Sequence, residues 1–207
     1  MFYLIGLGNP GDEYKNTRHN IGRETVELFC KKNDFGDFGF DKKSNALIAK
    51  GKIGKESVTA ILPETFMNNS GKAVAYFVKT KKLGKSSGNY KGLTGAENIL
   101  VVHDDLDLGI GNYKIQFNRG GGGNKGVESI HKALKTETYA RIKIGTSPAT
   151  PKGKVKKPEQ GEKVVNHVLG KFSPKDTEQF KKLRPKILKA IEATIEEGYM
   201  FAMNHFN

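Results

Sequence analysis

The segment that most constrains the fold is a short run of apolar residues in the middle of the chain. Asn98–His103 reads NILVVH and lacks the polar and apolar alternation of a strand with one face in water. A continuous run of this length is typical of a strand buried on both faces, as in a parallel sheet covered by helices. Asp104, Asp105 and Asp107 follow it, so the pattern also predicts carboxylates at the carboxyl end of a central strand.

The rest of the chain alternates strand and helix patterns. The predicted strands are Phe2–Gly6, Ala46–Ile53, Ser57–Leu62, Lys114–Phe117 and Arg141–Gly145. The predicted helices are Asn20–Asn33, Lys72–Lys81, Val127–Leu134 and one that begins at Pro174 and is kinked at Pro185. The alternation predicts an α/β fold, and the length predicts a single domain, residues 1–207. Two segments rich in Gly, Ser, Pro and Lys, 84–97 and 147–162, are expected to be flexible loops.

The charge of the chain indicates a polyanionic partner. Thirty-five Lys and Arg residues against 22 Asp and Glu give a formal net charge of +13 and a pI near 9.6. Lys and Arg contacts to phosphates release counterions and strengthen association, so a nucleic acid is the favoured partner. A general adaptation for solubility is the alternative. A membrane surface is less favoured because no basic amphipathic helix stands out.

Cysteine content and hydropathy indicate a cytoplasmic protein. Cys30 is the only cysteine, which excludes an intramolecular disulfide and suits a reducing compartment. It lies in a predicted amphipathic helix, so we expect a core thiol. No segment reaches the length of a membrane span, and the N-terminus lacks the pattern of a signal peptide. We therefore expect no membrane association.

GLGNPG, residues 6–11, matches the dinucleotide-binding pattern G-x-G-x-x-G directly after a predicted strand. In that fold the last glycine opens a helix, and an acidic residue about 20 positions on ends the next strand. Here a polar segment follows, and the acids at that distance, Glu24 and Glu27, fall within a predicted helix. Dinucleotide binding is therefore disfavoured. The glycines indicate a tight strand-end turn that exposes Asn9, or a turn with no further role. GGGGNKG (120–126) likewise lacks the ending of a Walker A loop.

The polar residues around these strand ends suit hydrolysis by an activated water. His19, in TRHN, is the strongest general-base candidate among five histidines because it lies in a polar loop between a predicted strand and helix. A carboxylate after the central strand can hold an imidazole in the correct tautomer. No G-x-S-x-G motif is present, so water is the expected nucleophile, with amide side chains stabilising the oxyanion. No His, Asp or Glu cluster has metal-ligand spacing, and each polar residue alone also has an ordinary structural explanation.

Five sequence blocks, in order, resemble one known family. They are GLGNPGDEYKNTRHNIG (6–22), PETFMNNSGKAV (63–74), ILVVHDDLDLGIG (99–111), GGGGNKGVESI (120–130) and VLGKF (168–172). Together they closely resemble the bacterial-type peptidyl-tRNA hydrolases, over essentially the whole chain. The resemblance implies one α/β domain with a mixed central β-sheet flanked by helices, monomeric and acting without cofactor or metal. It also implies hydrolysis of the ester between a peptide and the 3′ end of tRNA, which recycles tRNA from aborted translation.

The resemblance assigns catalytic roles to four residues. It implies that His19 is the base that activates water and that Asp104, the first Asp of HDDLD, orients it. Asn68 of TFMN is expected to bind substrate and to help stabilise the tetrahedral intermediate. Asn9 of GLGNPG is expected to contact the peptide and to help reject unblocked aminoacyl-tRNA.

The substrate-binding positions include one departure from the family. Tyr14 and Phe66 are expected to line the site for the tRNA 3′ end. The family usually has GGHNG where this chain has Asn124 and Lys125 in place of the His and the Asn. An ammonium only donates hydrogen bonds, whereas an amide donates and accepts. We expect both residues to contact substrate in an active enzyme; the alternative is a catalytically impaired RNA-binding relative of the same family.

The tRNA-facing basic residues of the family are also altered. The corresponding positions here are Lys114 with Gln116, and Arg141 with Lys143, so one charge is missing from the expected patch. The segment KGKVKK (152–157) is a candidate replacement that reaches phosphates, and a solvated loop is the alternative.

Overall fold

The computed structural model describes residues 1–80, 98–150, 154–159 and 161–207. The strands are β1 (Phe2–Gly6), β2 (Gly39–Asp41), β3 (Ala46–Ile53), β4 (Glu56–Pro63), β5 (Ile99–Gly109), β6 (Tyr113–Phe117) and β7 (Ala140–Ser147). The α-helices in these residues are α1 (Ile21–Lys32), α2 (Ser70–Thr80), α3 (Lys125–Leu134), α4 (Glu162–Leu169), α5 (Pro174–Glu196) and α6 (Tyr199–Phe206). The strands form one sheet with the order β2-β3-β4-β1-β5-β7-β6.

The sheet has a parallel centre and antiparallel edges. β1, β4, β5 and β7 run parallel, whereas β2, β3 and β6 pair antiparallel with their neighbours. Leu4 of β1 lies opposite Leu100 of β5, and both side chains are fully buried. The predicted central strand is therefore confirmed. β5 continues beyond His103, because its pairing with β7 resumes at Gly109 and Ser147 after an irregularity.

Helices cover the two faces of the sheet in separate layers. α1 and α5 pack on one face, where Phe29 and Ile187 are in the core. α2 and α3 pack on the other face, with Phe77 and Ile130 in that core. Cys30 is 2% exposed in the first layer, and burial raises the pKa of its thiol to about 12, so it is the expected core thiol. The predicted α/β fold with a mixed sheet flanked by helices is confirmed.

Three elements differ from the sequence-based expectations. β2 is a three-residue edge strand with largely exposed side chains, so it carries no apolar pattern that predicts it. α4 begins at Glu162, the last residue of the segment expected to be a loop. α6, which follows α5, was not predicted from the sequence. α5 begins at Pro174 as predicted, with a reciprocal capping box between Ser173 and Asp176. It includes Pro185, and the kink there stays a prediction.

The two predicted loops are only partly described. Segment 84–97 lies outside the described residues. Within 147–162, the Thr150 N–H donates to the Lys154 carbonyl (2.9 Å) and the Lys156 N–H donates to the Pro148 carbonyl (2.8 Å). The described part of this segment therefore folds back on itself, and its flexibility stays a prediction.

The turn after β1 is shaped by close packing. A Cβ on Gly8 would lie 2.9 Å from Cβ of Arg23 and 3.0 Å from Cγ of Asn20. A Cβ on Gly22 would lie 2.2 Å from the carbonyl oxygen of Val102. Glycine at these positions lets the loop and the start of α1 lie directly against the ends of β1 and β5. A dinucleotide-binding fold requires an α-helix that begins at Gly11. Here α1 begins only at Ile21, and two single 3₁₀ turns, Asp12–Tyr14 and Arg18–Asn20, precede it.

Candidate active site

A cavity of about 370 Å³ lies at the edge of the sheet where β1, β4 and β5 end. Because these strands are parallel, the loops that follow them meet at this edge. A fourth segment, between β6 and α3, returns the chain to the same place. The residues lining the cavity are Asn9, His19, Phe66, Met67, Asn68, Asp104, Asp105, Leu106, Gly121, Gly122, Gly123, Asn124, Lys125, Val164, Val165, Val168 and Leu169.

His19 and Asp104 form a hydrogen-bonded pair in this cavity. Nδ1 of His19 lies 3.0 Å from Oδ1 of Asp104, although 85 residues separate them in sequence. Asp104 projects from the same face of β5 as Leu100 and Val102, the face covered by α1. His19 lies in the 3₁₀ turn that leads into α1, so the packing of α1 on the sheet brings the two side chains together.

The environment of the pair favours an ionised carboxylate and defines the histidine tautomer. Burial opposes ionisation of Asp104, but the charge and hydrogen bond of His19 outweigh it, with further help from Asn124, and its pKa is lowered. An ionised carboxylate only accepts, so Nδ1–H of His19 donates to it and neutral His19 carries its lone pair on Nε2. Burial lowers the pKa of His19, and the positive charge of Lys125 lowers it further. The charge and hydrogen bond of Asp104 outweigh both, so the net effect raises the His19 pKa.

The other acidic residues after the central strand have different partners. Asp105 pairs with Lys143, and Asp107 pairs with Lys157. His103 is buried, and burial lowers its pKa to about 4, so it is neutral near pH 7. Its Nδ1–H donates to the carbonyl oxygen of Asp104 at 2.7 Å, whereas its buried Nε2 has no hydrogen-bond partner among the described residues. Among the carboxylates that follow NILVVH, Asp104 is the one that meets His19.

Asn9 is held by three hydrogen bonds and is 7% exposed, so the expectation that the turn exposes it is wrong. Its backbone N–H donates to Oδ1 of Asn20 (2.8 Å), and its carbonyl accepts from Nδ2 of the same side chain (2.9 Å). Its own Oδ1 accepts from the Met67 N–H at 3.0 Å. Because Oδ1 is held in this way, Nδ2 is the end of the amide left to face a ligand. Asn20, which the sequence analysis did not single out, is 3% exposed and keeps Asn9 in place.

Asn68 and the two predicted aromatic residues lie at the mouth of the cavity. Asn68 is exposed and sits in the 3₁₀ turn Met67–Asn69, which precedes α2. Phe66 is 59% exposed and lines the cavity. Tyr14 does not line it but contacts Phe66 edge-on, with ring centroids 6.4 Å apart. Phe66 is exposed and Tyr14 is half-buried. An aromatic pair beside polar amides suits a nucleobase, which stacks on the rings and hydrogen-bonds to the amides.

The glycine-rich segment before α3 forms the opposite wall. Lys125 is exposed in the first turn of α3. The half-buried side chain of Asn124 lines the cavity, where it caps α3 and donates to Asp104. Arg141 lies beneath this wall, and its guanidinium donates to the carbonyls of Arg119 (2.6 Å) and Gly120 (3.0 Å).

The expectation that Arg141 and Lys143 face tRNA is wrong for Arg141. Its side chain belongs to the interior strand β7 and is 1% exposed, so it cannot reach an RNA phosphate. The Lys143 side chain is 13% exposed and pairs with Asp105. Of the segment 152–157, Lys154 and Lys156 are exposed and Lys157 pairs with Asp107, while 152 and 153 lie outside the described residues.

α4 supplies an apolar wall that the sequence analysis missed. Val164, Val165, Val168 and Leu169 line the cavity, and Val165 and Leu169 are 44% and 37% exposed. The guanidinium of Arg18 donates to the carbonyl of His167 at 3.3 Å, which attaches α4 to the turn that carries His19. The spacing of the apolar residues in EKVVNHVL was the available signal, but the surrounding Lys- and Pro-rich sequence obscured it.

Two negative findings apply to the described residues. Within them, no group of three or more His, Cys, Asp or Glu side chains is arranged to hold a metal ion. None of the helices in these parts of the chain is long and apolar enough to cross a membrane.

Comparison with known proteins gives a consistent assignment. The family model described as peptidyl-tRNA hydrolase matches residues 3–207. The peptidyl-tRNA hydrolase of Herpetosiphon aurantiacus is 35% identical over 207 residues, covering 100% of this chain and 90% of that protein. That of Clostridium acetobutylicum is 34% identical over 208 residues, covering 100% of this chain and 98% of that protein. The crystal structure of peptidyl-tRNA hydrolase from Acinetobacter baumannii superposes with a TM-score of 0.84 and 29% identity, covering 100% of this chain and 94% of that one. The chain therefore belongs to the peptidyl-tRNA hydrolase family.

Proposed function

We propose that this protein hydrolyses the ester bond between an N-blocked aminoacyl or peptidyl group and the 3′-terminal ribose of tRNA. The observation that carries the proposal is the His19–Asp104 pair, with a 3.0 Å hydrogen bond, in the wall of the cavity. The net charge of +13 supports a tRNA substrate. The functional unit in this proposal is a monomer.

The first step of the mechanism is activation of water. Nε2 of neutral His19 accepts a proton from a water molecule as the oxygen attacks the ester carbonyl carbon. Asp104 keeps Nδ1 protonated and stabilises the imidazolium that forms. The new C–O bond turns the carbonyl oxygen into an oxyanion, and Asn68 at the mouth of the cavity donates a hydrogen bond to it.

The second step releases the products. The tetrahedral intermediate collapses, the bond to the ribose oxygen breaks, and the imidazolium returns its proton to that oxygen. The products are a peptide carboxylic acid and tRNA with a free terminal hydroxyl. This scheme makes the enzyme a carboxylic ester hydrolase that uses no covalent intermediate.

Substrate recognition divides between the two walls. Asn9 presents Nδ2 to a carbonyl of the peptide, since Oδ1 is held by the Met67 N–H. Phe66 and Tyr14 receive the terminal base of tRNA. Lys125 supplies a donor and a positive charge near the 3′ end, in the place where the family usually has Asn. The impaired RNA-binding alternative gains no support from a site in which His19 and Asp104 remain paired.

The test is hydrolysis of N-acetyl-aminoacyl-tRNA by the wild type, His19→Ala and His205→Ala. His205 is exposed on α6 and serves as the matched control. We expect turnover by the wild type and by His205→Ala, and a loss of about 100- to 10,000-fold in kcat for His19→Ala, the usual contribution of a general base. A wild type without turnover would refute the proposed function. An active His19→Ala variant would refute the mechanism while keeping the function.

A further inference from the structure

Asn124 makes hydrogen bonds in two directions at once. Its Oδ1 accepts from the backbone N–H groups of Gly126 (3.1 Å) and Val127 (3.2 Å), which makes it the N-cap of α3. Its Nδ2 donates to Oδ1 (2.9 Å) and to the carbonyl oxygen (3.2 Å) of Asp104. The backbone donors require the oxygen end and the carboxylate requires the nitrogen end, so the orientation of the amide follows from its partners.

The Asp104 carboxylate receives two donors on one oxygen. His19 Nδ1 lies 3.0 Å from Oδ1, and Asn124 Nδ2 lies 2.9 Å from the same atom. One donor comes from the turn before α1 and the other from the start of α3, so they approach from different layers of the fold. The carboxylate is 3% exposed, and solvent contributes little to holding its orientation. Outer groups of this kind orient the residue that orients the imidazole.

We propose that Asn124 is a positioning residue, which holds Asp104 in the orientation that keeps His19 in its Nδ1–H tautomer, and does not act by contacting substrate. The inference rests on the proposed function for its catalytic consequence. It also gives the unusual Asn at this position a specific task. One amide connects the N-terminus of α3, and with it the glycine-rich wall, to the residues that activate water.

Three explanations for Asn124 predict different behaviour of the same variants. Asn124→Ser keeps a side-chain oxygen that can cap α3 but lacks the amide donor to Asp104. Asn124→Ala lacks both. A role limited to the helix cap predicts that Ser is tolerated and that Ala lowers stability and activity together. A role in substrate contact predicts a higher KM for Ser, with kcat and the His19 tautomer unchanged.

The experiment combines thermal unfolding, steady-state hydrolysis of N-acetyl-aminoacyl-tRNA and ¹⁵N NMR of the imidazole of His19 in the substrate-free protein. For Asn124→Ser we expect unfolding near the wild-type temperature, about a tenfold fall in kcat with KM within about twofold, and a mixture of His19 tautomers in place of the single Nδ1–H form. A Ser variant with the wild-type tautomer overturns the proposal whatever its rate. A Ser variant in which the His19 tautomer changes but kcat does not fall also overturns the proposal.

The NMR measurement also separates this inference from the proposed function. The tautomer of His19 is read without substrate, so it can be scored even if the wild type does not hydrolyse the ester. In that case the catalytic proposal fails, while the dependence of the His19 tautomer on Asn124 is still confirmed or refuted. His167→Gln, which changes another histidine beside the cavity, verifies the assignment of the His19 signals.

Discussion

Two glycine-rich segments face each other across the site, and they use glycine for opposite reasons. In GLGNPG, Gly8 is required because the Cβ of any other residue would press against Arg23 and Asn20. In the second segment, Gly120, Gly122 and Gly123 have no atom within 4 Å of an added Cβ, and the last two have positive φ values of 62° and 79°. The first wall is held by packing against the sheet and α1. Before α3, the second wall has this kind of close packing only at Gly121, whose added Cβ would lie 2.9 Å from Cγ of Glu128. It is held by hydrogen bonds from Arg141 and Asn124 at its two ends.

The largest expected effect comes from removing the buried anchor of the second wall. Arg141→Ala deletes a fully buried side chain and its hydrogen bonds to the carbonyls of Arg119 and Gly120. We expect it to lower the free energy of unfolding by about 3 kcal/mol. Arg119→Ala, which removes an exposed side chain from the same segment, is expected to change it by less than about 0.5 kcal/mol. Urea denaturation measures both, and equal losses would show that Arg141 is not a specific anchor.

The next effect concerns packing of the first wall. Gly8→Ala places a methyl group 2.9 Å from Cβ of Arg23, and we expect a loss of about 2 kcal/mol in the free energy of unfolding. Gly120→Ala, which meets open space at a backbone angle that alanine tolerates, is expected to stay within about 0.5 kcal/mol of the wild type. The same denaturation experiment compares them. A harmless Gly8→Ala would mean that the first wall is as loosely packed as the second.

The third prediction tests whether Lys125, at the start of α3, lowers the pKa of His19. His19 must be neutral to accept a proton, and its pKa is raised above the ordinary histidine value. We therefore expect kcat/KM to rise with pH through a midpoint above that value. The Lys125 ammonium lowers the His19 pKa, so Lys125→Gln is expected to move the midpoint to higher pH. Lys132→Gln, at the far end of α3, is the charge-matched control, and identical shifts in both variants would contradict a local effect.

The smallest effect concerns attraction of RNA. Lys15, four residues after GLGNPG, is paired with Asp12. Arg119, directly before the second glycine-rich segment, is exposed and has no ion pair within the described residues. We expect Arg119→Gln to reduce the slope of log K for tRNA binding against log salt by about 0.7 to 0.9, the value for one phosphate contact. Lys15→Gln should leave the slope unchanged. A filter-binding series at several salt concentrations measures both slopes, and the reverse order would assign RNA attraction to the first wall.

The His19–Asp104 pair shows how much of the site local sequence patterns predict. NILVVH predicts a buried central strand with carboxylates after it, and TRHN predicts a histidine between a strand and a helix. Parallel strands place both at one edge of the sheet, so the meeting of His19 with Asp104 follows from the order of elements. The choice among three aspartates did not follow from the pattern. It depends on which face of β5 each side chain projects from and on the lysines that pair with the others.

Other features could not be predicted because they depend on contacts between distant segments. The Asn20 side chain makes two hydrogen bonds to the backbone of Asn9, eleven residues earlier, and no local sequence pattern predicts them. Arg141 was expected to face tRNA because the resemblance places it at a basic position of the family, and the sequence does not show that its side chain is buried. Its place on an interior strand, beneath the glycine-rich wall, reverses that expectation.

The sequence by itself determined the class of fold, the central strand, the basic charge and the family, because apolar runs, composition and long motifs are local properties of the chain. The tertiary structure decided how each polar group is used. Hydrogen bonding and burial depend on what lies opposite a side chain, and in this protein those neighbours come from segments tens of residues apart. For this reason Asn124, which in sequence is an altered substrate contact, in the structure joins α3 to Asp104.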